Sequence, residues 1–219
     1  MSPLTGQIVN LFAAFLLLLS FAMLSQRRIL SLINLFALQG LALVGSTLTV
    51  AIATGQNHLY FSAAITLLLK VLVLPYILHR LIRRLNVKWD VETLINIPTT
   101  MLVGIGLVIF AFNLALPISQ FSSSIARGTL GIALACVLLS FLMMITRSKA
   151  VPQVIGFLAM ENGLFFAATS ATYGMPMVVE LGIALDVLVG ALILGVFLFQ
   201  IREQFDSLEI YHLEKLKDD

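Results

Sequence analysis

Four ionisable side chains lie inside long apolar runs of this chain: Lys70 in ITLLLKVLVL, Glu161 in GFLAMENGLF, Glu180 in MVVELGI and Asp186 in GIALDVLVG. Such residues are costly in a nonpolar medium, and they mark ion paths or structural pairs. A carboxylate can take up and release a proton, and an ammonium beside it responds in the opposite sense. A row of acids and a base, joined by water, can therefore pass a proton along. Glu161, Asp186, Lys70 and Glu180 are the candidate relay groups. The competing reading is a buried lysine–carboxylate pair that locks helices together.

Neighbouring polar residues extend the constellation. Ser62, Thr66 and Lys70 are four apart and share one helical face, a polar stripe leading to the lysine. Asn162 adjoins Glu161, and Gln39 and Asn34 in an earlier run either continue a hydrogen-bonded path or join helices. Gly182, Asp186 and Gly190 share a face, where small residues permit close helix approach and leave space beside the carboxylate. Gly156 and Gly163 are expected to leave room beside Glu161 in the same way. Glu180 is about 120° around the helix from Asp186, nearer its end, where a long side chain snorkels to water.

The elements that must position these groups follow from composition. Apolar residues make up 60% and charged residues 11%, against roughly 25% charged in soluble domains. Uncharged runs of spanning length recur throughout, and they do not alternate as barrel strands do. The expectation is an all-α, polytopic membrane protein with seven transmembrane helices, over about 6–24, 29–53, 59–81, 94–115, 125–145, 150–171 and 176–200. The sixth and seventh are divided at TYGMP, where Gly174 and Pro176 favour a turn. No basic segment precedes the first run, so it is expected to remain as a helix.

Basic residues set the orientation. Arg27 and Arg28 follow the first helix, Arg80, Arg83, Arg84 and Lys88 the third, Arg147 and Lys149 the fifth, and Arg202, Lys215 and Lys217 the seventh. With seven spans all fall on one side, which the positive-inside rule makes cytoplasmic. The N-terminus is then outside and the C-terminus cytoplasmic.

The whole chain, 1–219, reads as one membrane domain: a three-helix unit over 1–90, a fourth helix within 91–121, a second three-helix unit over 122–204 and a cytoplasmic tail at 205–219. Gln39-Gly40-Leu41 can be laid over Asn162-Gly163-Leu164, and Lys70-Val71-Leu72-Val73 over Asp186-Val187-Leu188-Val189. Either the two units are parallel repeats, with the fourth helix as the odd span, or these common membrane residues coincide. The fourth and fifth helices lack a mid-membrane charge and read as packing or lipid-facing spans.

Other chemistry finds no support. His58 and His79 lie at opposite ends of one helix, His212 lies in the tail, and the single Cys136 sits in an apolar run. No metal, cofactor or catalytic residue is expected in this chain, and no nucleic-acid surface. A proton path here needs an external engine, and therefore a partner.

The length, the seven spans and the segments MENGLFFAA and ELGIALDVLVGALILG resemble the hydrogenase-4 component E family, from about Leu11 to Arg202. That resemblance implies a non-catalytic membrane-arm subunit of a formate hydrogenlyase-type, group 4 nickel–iron hydrogenase complex in the bacterial or archaeal cytoplasmic membrane. It implies antiporter-like and other membrane-arm partners and a peripheral hydrogenase-like module that carries a nickel–iron centre and iron–sulfur clusters. The last three helices resemble the K subunit of NADH:quinone oxidoreductase, whose two membrane glutamates serve proton translocation. The first would fall at Leu158, three residues before Glu161, nearly one helical turn away. The second matches Glu180 by identity or Asp186 by depth. A purely structural membrane anchor of such a complex, or a self-contained ion transporter, are the competing functions.

Overall fold

The computed structural model describes residues 3–84, 93–119 and 124–172. Helix α1 spans Pro3–Ser25 and α2 spans Ile29–Thr54. The third span comprises α3 (Asn57–Thr66), a π-helical segment (Leu67–Val73) and α4 (Leu74–Arg84). Helices α5 (Ile97–Ser119), α6 (Ser124–Thr146) and α7 (Ala150–Thr172) follow. The described residues thus contain 6 helices long and apolar enough to cross a membrane. The chain is an all-α, polytopic membrane protein. The expected seventh helix, Glu180, Asp186 and the tail lie outside the described residues.

Each span contains a long, predominantly apolar window, as a lipid environment demands: backbone groups must bond within the helix, and side chains face lipid or other helices. Helix α2 ends where Gly55 takes φ +67° and its N–H bonds Ala51 O at 2.9 Å. That left-handed position is open to glycine at little cost, and it turns the chain into α3.

The hairpins α1–α2 and α6–α7 face each other, α1 on α6 and α2 on α7. Between them lies a core of small, aliphatic and aromatic side chains, including Ala13, Leu16, Ala42, Leu43, Cys136 and Phe166. Helix α5 packs on α6 from outside and leaves Leu102, Ile109 and Phe110 exposed, a face suited to lipid or a neighbouring subunit. The expectation for the fourth and fifth spans therefore divides: α5 is peripheral, whereas α6 is central.

Gly156 and Gly163 differ from expectation. A Cβ on Gly156 would meet Met144 Cγ at 2.8 Å, and one on Gly163 would meet Val137 N at 3.2 Å. The space beside these glycines is filled by α6, so they serve close helix packing.

The third span is not a plain α-helix. Leu74 N–H bonds Leu69 O, five residues back. Pro75 follows at once; it has no N–H to give, and its ring crowds the carbonyl four residues before it. The wider π turn relieves that conflict and centres on Lys70.

Arg147 corrects the simple picture of a loop marker. It is 1% exposed, and its Nη2 donates to Leu24 O at 2.7 Å and Met23 O at 3.3 Å. The guanidinium thus caps the carbonyl end of α1, where a cation is favourable. Leu94 N–H bonds Thr146 O at 2.9 Å. Residues 94–96, expected within the fourth helix, instead follow Thr93 beside the end of α6, and α5 begins at Ile97. These bonds gather the ends of α1 and α6 and the start of α5 at one end of the bundle.

Candidate functional site

Lys70 Nζ lies 3.2 Å from Glu161 Oε1, with the two side chains 1% and 5% exposed. Glu161 falls near the middle of the apolar stretch Val151–Ser170, and Lys70 near the middle of Asn57–Arg80. The pair is therefore deep in the membrane. Of the partners open to Lys70 from sequence, the structure joins it to Glu161.

Three features hold Lys70 there. The π turn sets its direction from the third span. Gly40 of α2 admits the backbone closely: a Cβ on that glycine would lie 3.4 Å from Lys70 Cβ and 3.3 Å from Val71 Cγ2. Phe165, one turn beyond Glu161 on α7, presents its ring 5.8 Å from the ammonium. A desolvated ammonium near an aromatic face gains from the ring quadrupole.

Beside the pair runs a second set of polar contacts. Asn162 Nδ2 donates to Gln39 Oε1 at 3.1 Å, and Gln39 Nε2 donates to Ser20 Oγ at 3.0 Å. Ser20 in turn donates to Leu16 O at 2.9 Å. All three polar side chains are buried, and together they link α7, α2 and α1. Ser62 and Thr66 are buried as well, which agrees with their sharing the Lys70 face. Ser62 Oγ has no hydrogen-bond partner among the described residues.

Ser20, Phe165 and Arg147 were not candidates from sequence. A lone serine in an apolar run ordinarily bonds its own helix, so Ser20 carried no signal. Phe165 did carry one, since it stands four residues after Glu161 and such positions share a face. The role of Arg147 was hidden because a basic residue at a helix end is first read as a topology marker.

Known proteins resemble this chain along nearly its whole length. The chain is 31% identical over 212 residues to the uncharacterized protein Rv0085 of Mycobacterium tuberculosis, covering 96% of each. It belongs to that protein's family. It is also 24% identical over 215 residues to hydrogenase-4 component E of Escherichia coli K12, covering 98% of this chain and 100% of that protein. Hydrogenase-4 component E of Shigella flexneri matches to the same extent. No family model and no solved structure matches. The resemblance to component E thus extends along nearly the whole chain, at the level of a distant relationship.

Chemically, the arrangement offers one buried acid, one buried base and a row of amide and hydroxyl groups. Among the described residues no group of His, Cys, Asp and Glu could hold a metal ion.

Proposed function

We propose that this family member is a non-catalytic membrane-arm subunit of an energy-converting respiratory complex of the group 4 hydrogenase type, and that its Lys70–Glu161 pair is a step in a proton path. One observation carries the reading: a lysine and a glutamate meet at 3.2 Å in mid-membrane. The near-full-length similarity to hydrogenase-4 component E supports the kind of complex. The partners are then antiporter-like and other membrane-arm subunits, with a peripheral hydrogenase-like module that holds a nickel–iron centre and iron–sulfur clusters. The location is the cytoplasmic membrane of a bacterium or archaeon.

The chemistry follows from the pair. A proton arriving on the Glu161 carboxylate neutralises it and weakens its hold on the Lys70 ammonium. Lys70 can then release its own proton to an acceptor beyond. Transfer of the proton from Glu161 to Lys70 restores the starting charges, with one proton taken in and one given out. Asp186 and Glu180 are the further candidate acceptors in this chain.

A second reading has an observation of its own. Direct contact, with Phe165 over the ammonium, also suits a fixed lock between the third span and α7. Glu161→Gln separates the two, because glutamine keeps shape and hydrogen bonding but cannot titrate. The expected result is an assembled complex whose proton flux per turnover falls in membrane vesicles. Unchanged flux and turnover would leave the lock as the sole role.

A further inference from the structure

The chain of bonds from Ser20 to Asn162 has a fixed direction. Its anchor is Leu16 O, a helix carbonyl that can only accept. Ser20 must therefore give its proton to Leu16, and its oxygen is left to accept from Gln39 Nε2. Gln39 then presents Oε1 to Asn162, which must turn its Nδ2 toward it. Neither amide can flip without breaking a bond further along.

The open end of this chain is Asn162 Oδ1. Asn162 is 0% exposed, and Oδ1 accepts no hydrogen bond from the described residues. A buried hydroxyl has a local remedy in a helix. Thr47 and Thr169 each turn back to a carbonyl four residues before them. An orphan acceptor has none, since every interior N–H of the helix is already used. Its donor must come from outside the helix.

We infer that Asn162 Oδ1 is a binding site for a buried water molecule beside the Lys70–Glu161 pair, with its polarity fixed by Ser20 and Gln39. An anion does not fit, because the free atom is an acceptor. A second cation is disfavoured by the Lys70 ammonium, bonded to the residue next in sequence. A partner's side chain cannot reach an atom buried within this chain. Water donates one proton to Asn162 and keeps its other proton and lone pairs for a further polar group. For its role, as the water that connects Glu161 to the proton path, this site rests on the function proposed above. Its existence rests on the bond directions and on the burial of Oδ1 without a donor among the described residues.

The test is water-edited solid-state NMR on the full chain in lipid bilayers, with asparagine and leucine labelled in carbon and nitrogen. The expected result is rapid transfer from water protons to the Asn162 carboxamide, with loss of that signal in Asn162→Leu identifying it. Ser20→Ala, which frees Gln39 to turn, should shift the Asn162 amide resonances although it touches no part of Asn162. Transfer to Asn162 no faster than to the buried methyls of Leu43 would overturn the site, as would Asn162 Nδ2 bonding water in place of Gln39. Proton flux is a separate readout. If Glu161→Gln leaves flux unchanged while the water signal stands, the proton path fails and the water site does not.

Discussion

Asn162 and Gln39 are separated by 123 positions in sequence and share a hydrogen bond of 3.1 Å. The same two residues occupy matching places in the two segments that can be aligned within the chain. The bond joins α7 to α2 in the apolar interior. Interhelical bonds of this kind in membranes contribute about 0.6 kcal/mol on average and up to about 1.7. A double-mutant cycle of Gln39→Leu and Asn162→Leu, read from unfolding in bicelles, should give a coupling in that range. Strict additivity would show that the bond does not hold α2 to α7.

The Lys70–Glu161 pair should behave asymmetrically. Lys70→Met alone leaves Glu161 buried opposite an apolar group, at a cost of roughly 3–5 kcal/mol if the carboxylate stays charged. Lys70→Met with Glu161→Leu removes both charges, and stability should recover to near that of the native chain. Thermal melts of the three proteins in detergent test this. A double variant no more stable than Lys70→Met would mean that the pair is not a closed unit.

Arg147→Met should loosen the end of α1. It removes the donor to Met23 O and Leu24 O, at a cost of about 1–3 kcal/mol. Burial already lowers the guanidinium pKa from its usual value, yet arginine stays charged at neutral pH, so the cap persists through the physiological range. Hydrogen exchange should rise in the last turn of α1 and stay unchanged in the first. Uniform protection in the variant would count against the cap.

Two glycines should answer differently to one change. Gly163→Ala places its methyl group against Val137 N at 3.2 Å, which is backbone and cannot move aside, so α6 and α7 must separate. Gly106 has nothing within 4 Å of the same position. We expect Gly163→Ala to cost about 1–3 kcal/mol, as overpacking does, and Gly106→Ala to be near neutral. Equal melting temperatures for the two would refute the close α6–α7 contact.

Orientation can be read with two single cysteines, after Cys136→Ala. Arg27 and Asn57 are both exposed, at opposite ends of α2 and its flanking turns. With basic ends cytoplasmic, Asn57→Cys should react with an impermeant maleimide in intact cells. Arg27→Cys should react only after permeabilisation. The reverse pattern would invert the topology.

The sequence by itself determined the membrane, the helical class and the six spans described. Spanning length and the absence of charge are properties of single segments, and the cost of an unpaired backbone group in lipid leaves only the helix to satisfy them. It also marked Lys70 and Glu161, because a charge in an apolar run is conspicuous without any knowledge of neighbours. Which charges meet was beyond it. The sequence does not say which acid Lys70 meets, and the pairing with Glu161 depends on how the third span and α7 are both placed on α2. The π turn before Pro75 and the close approach at Gly40 set that placement, and both depend on backbone geometry that residue types do not reveal. Arg147 shows the same limit: its charge was plain, but its capping of α1 required two distant helix ends to be brought together. Contacts between helices in lipid arise from small shape differences and a few polar bonds, with no hydrophobic pattern to point the way. That is why the partners were decided only by the tertiary structure.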